Sequence, residues 1–449
     1  MKRLLIGCAL LLLAVAAAGG GYWLKHRGNV HTVHGSPTVE FEPKQSPRKV
    51  AQRPKAVVRA VPWPSYGYDL GRTHVAPSFA DKLRPPFRRL WSVRTGYYIE
   101  FPPAVAYGRV YVAQLRGRFL AVDAQTGKVR WQKRFHNCTA ASPAVGDGVV
   151  YQPYLPLPCD HGSRTARGFV VAMNARTGRI LWRFPGPSSE SSPLLIGKTL
   201  YFGAWDHRLY ALDVRTRKVR WTFKASGELN SAPAYANGTI YIGSDDGRLY
   251  AVSARTGRLR WRASSFSHFP SGREYFYATP AIAYGRVFIG YTDGIVYAFG
   301  ATTGHLLWAQ RAGTYVYTAA AVYRKTVYVG SYDGNVYAFD AATGDLRWRH
   351  SSPGSIHGAP TVLGGLVYFS TCGTCGSHGS RYAKRGPRTT FALDARTGKL
   401  VWTFPDGRYS PIVTDGQRVY LTGDTRVYGL VPCSRRPPPP TAPVRRVRC

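Results

Sequence analysis

Methionine is nearly absent from this 449-residue chain, with 2 residues, and acidic side chains are scarce, 23 Asp plus Glu against 61 Lys plus Arg. Catalytic signatures are missing as well. There is no G-x-S-x-G elbow, no H-E-x-x-H pair and no phosphate-cradling GK[ST] loop, so hydrolase, zinc-protease and P-loop chemistry have no support in the residues. A single C-x-x-C, Cys372 to Cys375, lacks the second pair that a four-ligand zinc site needs. What is abundant is Gly (48), Tyr (30) and Trp (11). That mixture favours short strands and tight turns over helix bundles, and the first expectation is an all-β chain.

The formal net charge is +38, a field that attracts anionic polymers and anionic lipid head groups. Arg far exceeds Lys and the positive residues are scattered along the chain, so the charge does not mark one site. Residues 4–24 form one apolar run after Lys2 and Arg3, long enough at about 1.5 Å per residue to cross a bilayer core. It is read as a signal anchor, with removal after Ala16-Ala17-Ala18 as the alternative. Cys8 sits inside this run in a poor lipidation context. The six other cysteines fall into three local pairs, Cys138–Cys159, Cys372–Cys375 and Cys433–Cys449, read as disulfides of an oxidising, extracytoplasmic compartment.

Residues 25–85 are basic and dotted with proline, and are read as a stalk. Residues 434–449, with Pro437 to Pro440 and three late arginines, read as a disordered basic tail. Between them, over 86–433, the chain repeats with a period near 40 residues. Residues 239–261 read TIYIGSDDGRLYAVSARTGRLRW and residues 326–348 read TVYVGSYDGNVYAFDAATGDLRW. Each unit carries an Asp-Gly turn (Asp246-Gly247, Asp293-Gly294, Asp333-Gly334) and then a Thr-Gly turn, with Thr216-Arg217 as the one departure. Each ends in tryptophan: Trp91, Trp131, Trp182, Trp221, Trp261, Trp308, Trp348 and Trp402. Trp91 has no unit before it, and the strands at 419–430 have no Trp strand after them. The two halves complete each other, which predicts an all-β, eight-bladed β-propeller of four-stranded antiparallel blades, its ring closed by an N-terminal outer strand.

The closing pattern A-x-D-A-x-T-G-x-x-x-W resembles the PQQ-like propeller repeat, over about three quarters of the chain. That repeat is shared by quinoprotein alcohol dehydrogenases, by the outer-membrane assembly factor BamB and by sensor domains of some bacterial kinases, so fold alone does not select a function. The eight tryptophans are expected to pack between blades. Function is sought where the blades differ, in the crossing from each outer strand to the next inner strand. The eight residues there are Glu100, Ala140, Glu190, Asn230, Tyr277, Tyr317, His357 and Arg408, mostly polar and nearly all different. Seven of them, all but Ala140, are proposed as a ligand-binding rim at one channel mouth, adjoined by Phe101, Ser191, Ser231 and Tyr409; a solvated rim around a water-filled channel is the rival reading.

In quinoprotein dehydrogenases, by the same resemblance, PQQ and a calcium ion held by a Glu and an Asn would occupy this mouth; Glu190 and Asn230 match those two types. No rim position supplies the Asp base, and two carboxylates are few for a hard cation. The expectation is therefore a non-catalytic scaffold without cofactor or metal, with a PQQ- and calcium-dependent dehydrogenase or cofactor-binding relic as the alternative. Two long insertions, 153–167 and 371–387, are the second candidate surface. The expected setting is a single-pass membrane tether through residues 4–24, or a secreted chain if that segment is removed. The monomeric propeller would lie outside the cytoplasm and bind a protein or anionic envelope polymer, with no specific nucleic-acid target.

Overall fold

The computed structural model describes residues 32–41, 63–157, 159, 167–265, 275–373, 383–409 and 411–433. The predicted anchor at 4–24, the tail at 434–449, Cys375 and Cys449 lie outside them. Eight four-stranded antiparallel sheets form a closed ring. Blades 1 to 7 are continuous in sequence (104–134, 144–187, 194–224, 234–264, 281–311, 321–351 and 361–404). Blade 8 joins the last three strands, within 412–432, to the first strand Phe87–Arg94 as its outermost member. Phe87 pairs with Pro432 and Arg94 with Arg426, so the first and last strands clasp the ring shut as the repeat pattern predicted.

Each tryptophan stands opposite a small residue of the neighbouring strand: Ala121 faces Trp131, Ala251 faces Trp261 and Gly429 faces Trp91. The missing bulk makes room for the indole, which leans onto the next blade. Trp221 covers Gly257 so closely that a Cβ there, at φ +71°, would lie 2.7 Å from the ring; only glycine combines that backbone with that approach. The indole N–H then donates to an alanine carbonyl of the next blade, as from Trp131 to Ala175 (3.1 Å), Trp221 to Ala254 (3.1 Å) and Trp261 to Ala301 (3.0 Å). A tyrosine hydroxyl shares the same acceptor: Tyr111 donates to Ala175, Tyr201 to Ala254 and Tyr241 to Ala301, at 2.9 to 3.0 Å.

The departure at Thr216-Arg217 falls in the turn that Trp182 faces, where Trp182 packs in a cluster with Val214. Trp402 faces blade 8, whose outer strand comes from the N-terminal side and brings no Thr-Gly turn; it meets Phe87 edge-on at 5.3 Å instead.

The segment read as a stalk needs correction. Its described parts pack on the propeller, and residues 63–76 run around the inside of the central channel. The innermost strand of each blade is a sheet edge whose central N–H points into the channel. The N–H groups of Val105, Val145, Tyr235, Ile282, Val322 and Val362 donate to the carbonyls of Trp63, Pro64, Leu70, Gly71, Thr73 and His74 at 2.7 to 2.9 Å. Arg72, 0% exposed, adds contacts to blades 3 and 4 by donating to the carbonyls of Ser192, Pro193 and Pro233 at 3.0 to 3.2 Å. Burial pushes its guanidinium down to about 10, still charged at neutral pH. The physical reason for the error is that this segment is ordered through its backbone, which proline and glycine spacing does not advertise.

Two substitutions test these contacts. Trp308→Ala, at an indole 0% exposed, is expected to cost about 3–5 kcal/mol of unfolding free energy in chemical denaturation. Arg72→Ala leaves several buried carbonyls without a donor and is expected to cost about 3 kcal/mol; a loss below about 1 kcal/mol would show that the segment does not brace the channel.

Candidate functional site

The crossings between blades all emerge at one end of the ring, and so do the two long insertions. Of the predicted rim residues, Glu100, Glu190, Asn230, Tyr277, Tyr317 and His357 line a single cavity. Tyr66, from the channel segment, and Phe101 close it below, their rings 5.7 Å apart and edge to face. The mouth is therefore a blind pocket and not the opening of a water-filled channel. Arg408 lies beside the cavity, its guanidinium 4.1 Å from the Tyr98 ring centre and paired with Asp424 at 2.6 Å. Ala140 is buried under the first insertion with Cys138, Leu155 and Trp205.

The rim divides into two arcs. On one side aromatic rings follow one another: Tyr277 on Tyr317 at 4.3 Å, Tyr317 on His357 at 4.3 Å and His357 on Tyr409 at 4.4 Å. Tyr332 and His357 share a hydrogen bond of 2.5 Å. On the other side stand Glu100, Glu190 and Asn230, whose Nδ2 donates to Asp245 at 2.9 Å and to Glu228 at 3.4 Å. Tyr277 bridges the arcs by donating its hydroxyl to Glu190.

Burial sets the protonation states. Desolvation, followed by repulsion from Glu190, pushes the Glu100 carboxyl up to about 8, with Arg408 opposing. Desolvation, followed by repulsion from Arg408, holds His357 down to about 3, so its ring is neutral at physiological pH. The Tyr277 hydroxyl is raised well above its ordinary value by burial and by Glu190. It stays a proton donor.

Both insertions abut this mouth. Cys138 and Cys159 form a disulfide with Cα atoms 5.4 Å apart, and Cys138 bridges Leu155 across the loop. Cys372 is disulfide-bonded and packs against Tyr315, Tyr332 and Tyr409; Cys433 is also disulfide-bonded. The residues that sequence reading did not single out are Tyr66, Tyr98, Tyr315, Tyr332, Glu228 and Asp245. Trp63, Tyr66 and Tyr68 in succession were an available signal, since a solvated linker has little use for three aromatics.

The fit of PQQ and calcium can be tested on this geometry. The cavity has about 30 Å³ of room for water-sized groups, enough for about two or three waters, and a tricyclic quinone bearing three carboxylates needs many times that. Its carboxylates would also face Glu100 and Glu190. Among the described residues no group of three His, Cys, Asp or Glu stands close enough to hold a metal ion. The residues in this arrangement do not fit the cofactor.

Fold and mouth together define a closed propeller of PQQ-type repeats with a braced channel and a pocketed rim. The family model described as outer membrane protein assembly factor BamB matches residues 88–203, 166–312 and 292–433, and the chain belongs to that family. It is 30% identical over 129 residues to BamB of Xanthomonas campestris, covering 25% of this chain and 29% of that protein. It is 34% identical over 76 residues to quinohemoprotein alcohol dehydrogenase ADH IIB of Pseudomonas putida, covering 17% and 11%. The chain thus spans 11% to 33% of the length of the curated relatives it matches. In structure it is similar to BamB of Moraxella catarrhalis, with TM-score 0.61, 17% identity and coverage of 77% of this chain and 99% of that one. Quinohemoprotein alcohol dehydrogenase ADHIIG of Pseudomonas putida gives TM-score 0.66, 14% identity and coverage of 85% and 83%.

The raised Glu100 carboxyl makes a signed prediction. A folded-state value above the unfolded one means that folding stability is lost as pH rises from about 4.5 through about 8. Glu100→Gln removes that loss. The variant is expected to gain stability over the wild type more at about pH 9 than at about pH 5, read from denaturation midpoints.

Proposed function

We propose that this protein is a non-catalytic scaffold of the cell envelope that holds a partner at the channel mouth, with no cofactor of its own. The observation that carries this reading is the continuity of the mouth with both insertions. The aromatic arc packs directly on Cys372, and the Cys138–Cys159 loop adjoins Phe101. A rigid ring thus presents one varied surface on an otherwise repeated frame, the usual placing of a recognition face. The relatives named outer membrane protein assembly factor BamB support a protein partner, whereas a mouth lined by carboxylates disfavours an anionic polymer in the pocket itself.

In this reading residues 4–24 tether the chain to a membrane, and the described N-terminal segment gives the tether a direction. Val33 pairs with Ala309, the Gly35 N–H donates to Thr343 and Phe41 stacks on Tyr284 at 5.3 Å. Thr343 and Tyr284 lie in turns at the end of the ring opposite the mouth. The mouth then faces away from the membrane, open to a partner.

Photo-crosslinking in cells tests the proposal. A reactive residue in place of Arg408 or Tyr97, at the mouth, is expected to trap a discrete partner, whereas one in place of Gln417, at the opposite end, is not. Equal trapping from both ends would sink the reading. Calorimetric titration with PQQ and calcium is expected to give no binding heat; saturable binding abolished in Glu190→Gln would replace the scaffold by an enzyme.

A further inference from the structure

We infer that the blind cavity at the mouth captures the ammonium end of an alkylamine, of the kind a lysine side chain carries. This rests on the mouth being the binding face, and it names what the face selects. The chain carries a net charge of +38 and only six glutamates, yet Glu100, Glu190 and Glu228 all stand at or beside this one cavity. Among the described residues no lysine or arginine lines it. The local sign is therefore opposite to that of the whole molecule, which is the electrostatic condition for admitting a cation.

The polar atoms are matched to a donor. Asn230 is 4% exposed, and two carboxylates, Asp245 and Glu228, accept from its Nδ2. That fixes the orientation of the amide, since the opposite flip would set its oxygen against both acids. Its Oδ1 is then left buried without a hydrogen-bond partner. A buried acceptor in that state is costly, and an ammonium N–H in the cavity is the group that would satisfy it. Glu100 and Glu190 supply two more acceptors for the same three-pronged donor.

Size and walls narrow the class. About 30 Å³ of room for water-sized groups takes a small head group, which suits a primary ammonium better than a bulky trimethylated amine. The stacked Tyr277 and Tyr317 rings, 4.3 Å apart, give the alkyl stem an apolar path and the charge a π-face.

Binding is also coupled to protons. Glu100 faces Glu190, Arg408 and the hydroxyls of Tyr98, Tyr277, Tyr317, Tyr332 and Tyr409. Its carboxyl, up at about 8 without a cation, releases its proton when the ammonium enters.

The experiment is calorimetric titration of the full-length protein with n-butylammonium and with a lysine-containing tripeptide, using the Nε-acetylated tripeptide as the neutral control. Saturable binding of the cations and not of the control is expected, about tenfold weaker in Glu190→Gln, the loss of one charge-assisted hydrogen bond. Affinity is expected to rise between about pH 6 and about pH 9 with proton release, read in the wild type from two buffers of different ionisation enthalpy. This second reading does not depend on the folding of any variant. Equal binding of the acetylated control, unchanged affinity in Glu190→Gln, or no proton release would each overturn the inference. The tripeptide binding where butylammonium binds equally assigns the ammonium as the recognised group. If neither cation binds while mouth crosslinks persist, the scaffold reading stands and the ammonium inference falls. Cation binding without any mouth crosslink upholds the ammonium site and sinks the scaffold reading instead.

Discussion

One shared acceptor holds neighbouring blades together. At most of the interfaces the carbonyl of the alanine that opens the outer turn receives two donors from the blade before it, an indole N–H and a tyrosine hydroxyl, as at Ala175, Ala254, Ala301 and Ala395, while at Ala341 the indole donates alone. The same geometry joins blade 8 to blade 1, where Trp91 and Tyr420 both reach Ala124. A blade bears too little apolar surface on one face to be stable alone, so the interface between blades is the unit that folds. Where it is made, the clamp fixes the distance and tilt of the interface with directional bonds while the indole covers the apolar gap. Everything farther in, channel diameter and rim spacing included, follows from repeating that tilt eight times.

Repetition leaves an unsolved problem at the centre. Every blade ends inward in a bare strand edge, and eight such edges face one another across the channel. The segment at 63–76 resolves most of it by bonding to six of them through its own carbonyls, while Arg72 donates to carbonyls at the entry of a seventh, blade 3, and of blade 4. A buried guanidinium is retained here because it spreads its donors over carbonyls from two blades and its own segment, which no apolar side chain could do. The consequence for function is direct. By filling the channel the segment turns a pore into a pocket, and Tyr66 becomes the floor of the candidate site.

The pocket in turn explains why the rim does not repeat. Its carboxylates and its aromatic rings are drawn from different blades at one equivalent position, so eightfold geometry is used to hold an asymmetric set of side chains. Glu100 keeps its proton in the pocket chiefly because burial strips its carboxyl of water, with repulsion from Glu190 adding to the effect. A frame this rigid keeps the two acids close where a flexible loop would let them part.

The repeat itself was fully legible in the sequence, because it is written in local signals. Asp-Gly and Thr-Gly turns fix hairpins, alternation fixes which face is buried, and each tryptophan marks an interface; even the closure by the first strand followed from an orphan Trp91 and an unpaired last unit. The rim positions could also be found, since equivalent places in a repeat can be aligned by counting. Counting could not show that Glu100 and Glu190 share a cavity while Ala140 lies beneath a loop, or that Arg408 stands aside on Tyr98. Nor could it reveal the channel segment, whose bonds run from main chain to main chain, as far as from His74 to Val362, and leave no mark on side-chain pattern. Composition, periodicity and turn chemistry determined the ring; only the tertiary structure decided that its centre is filled and that its mouth ends in a pocket, because those depend on backbone groups that every residue carries alike.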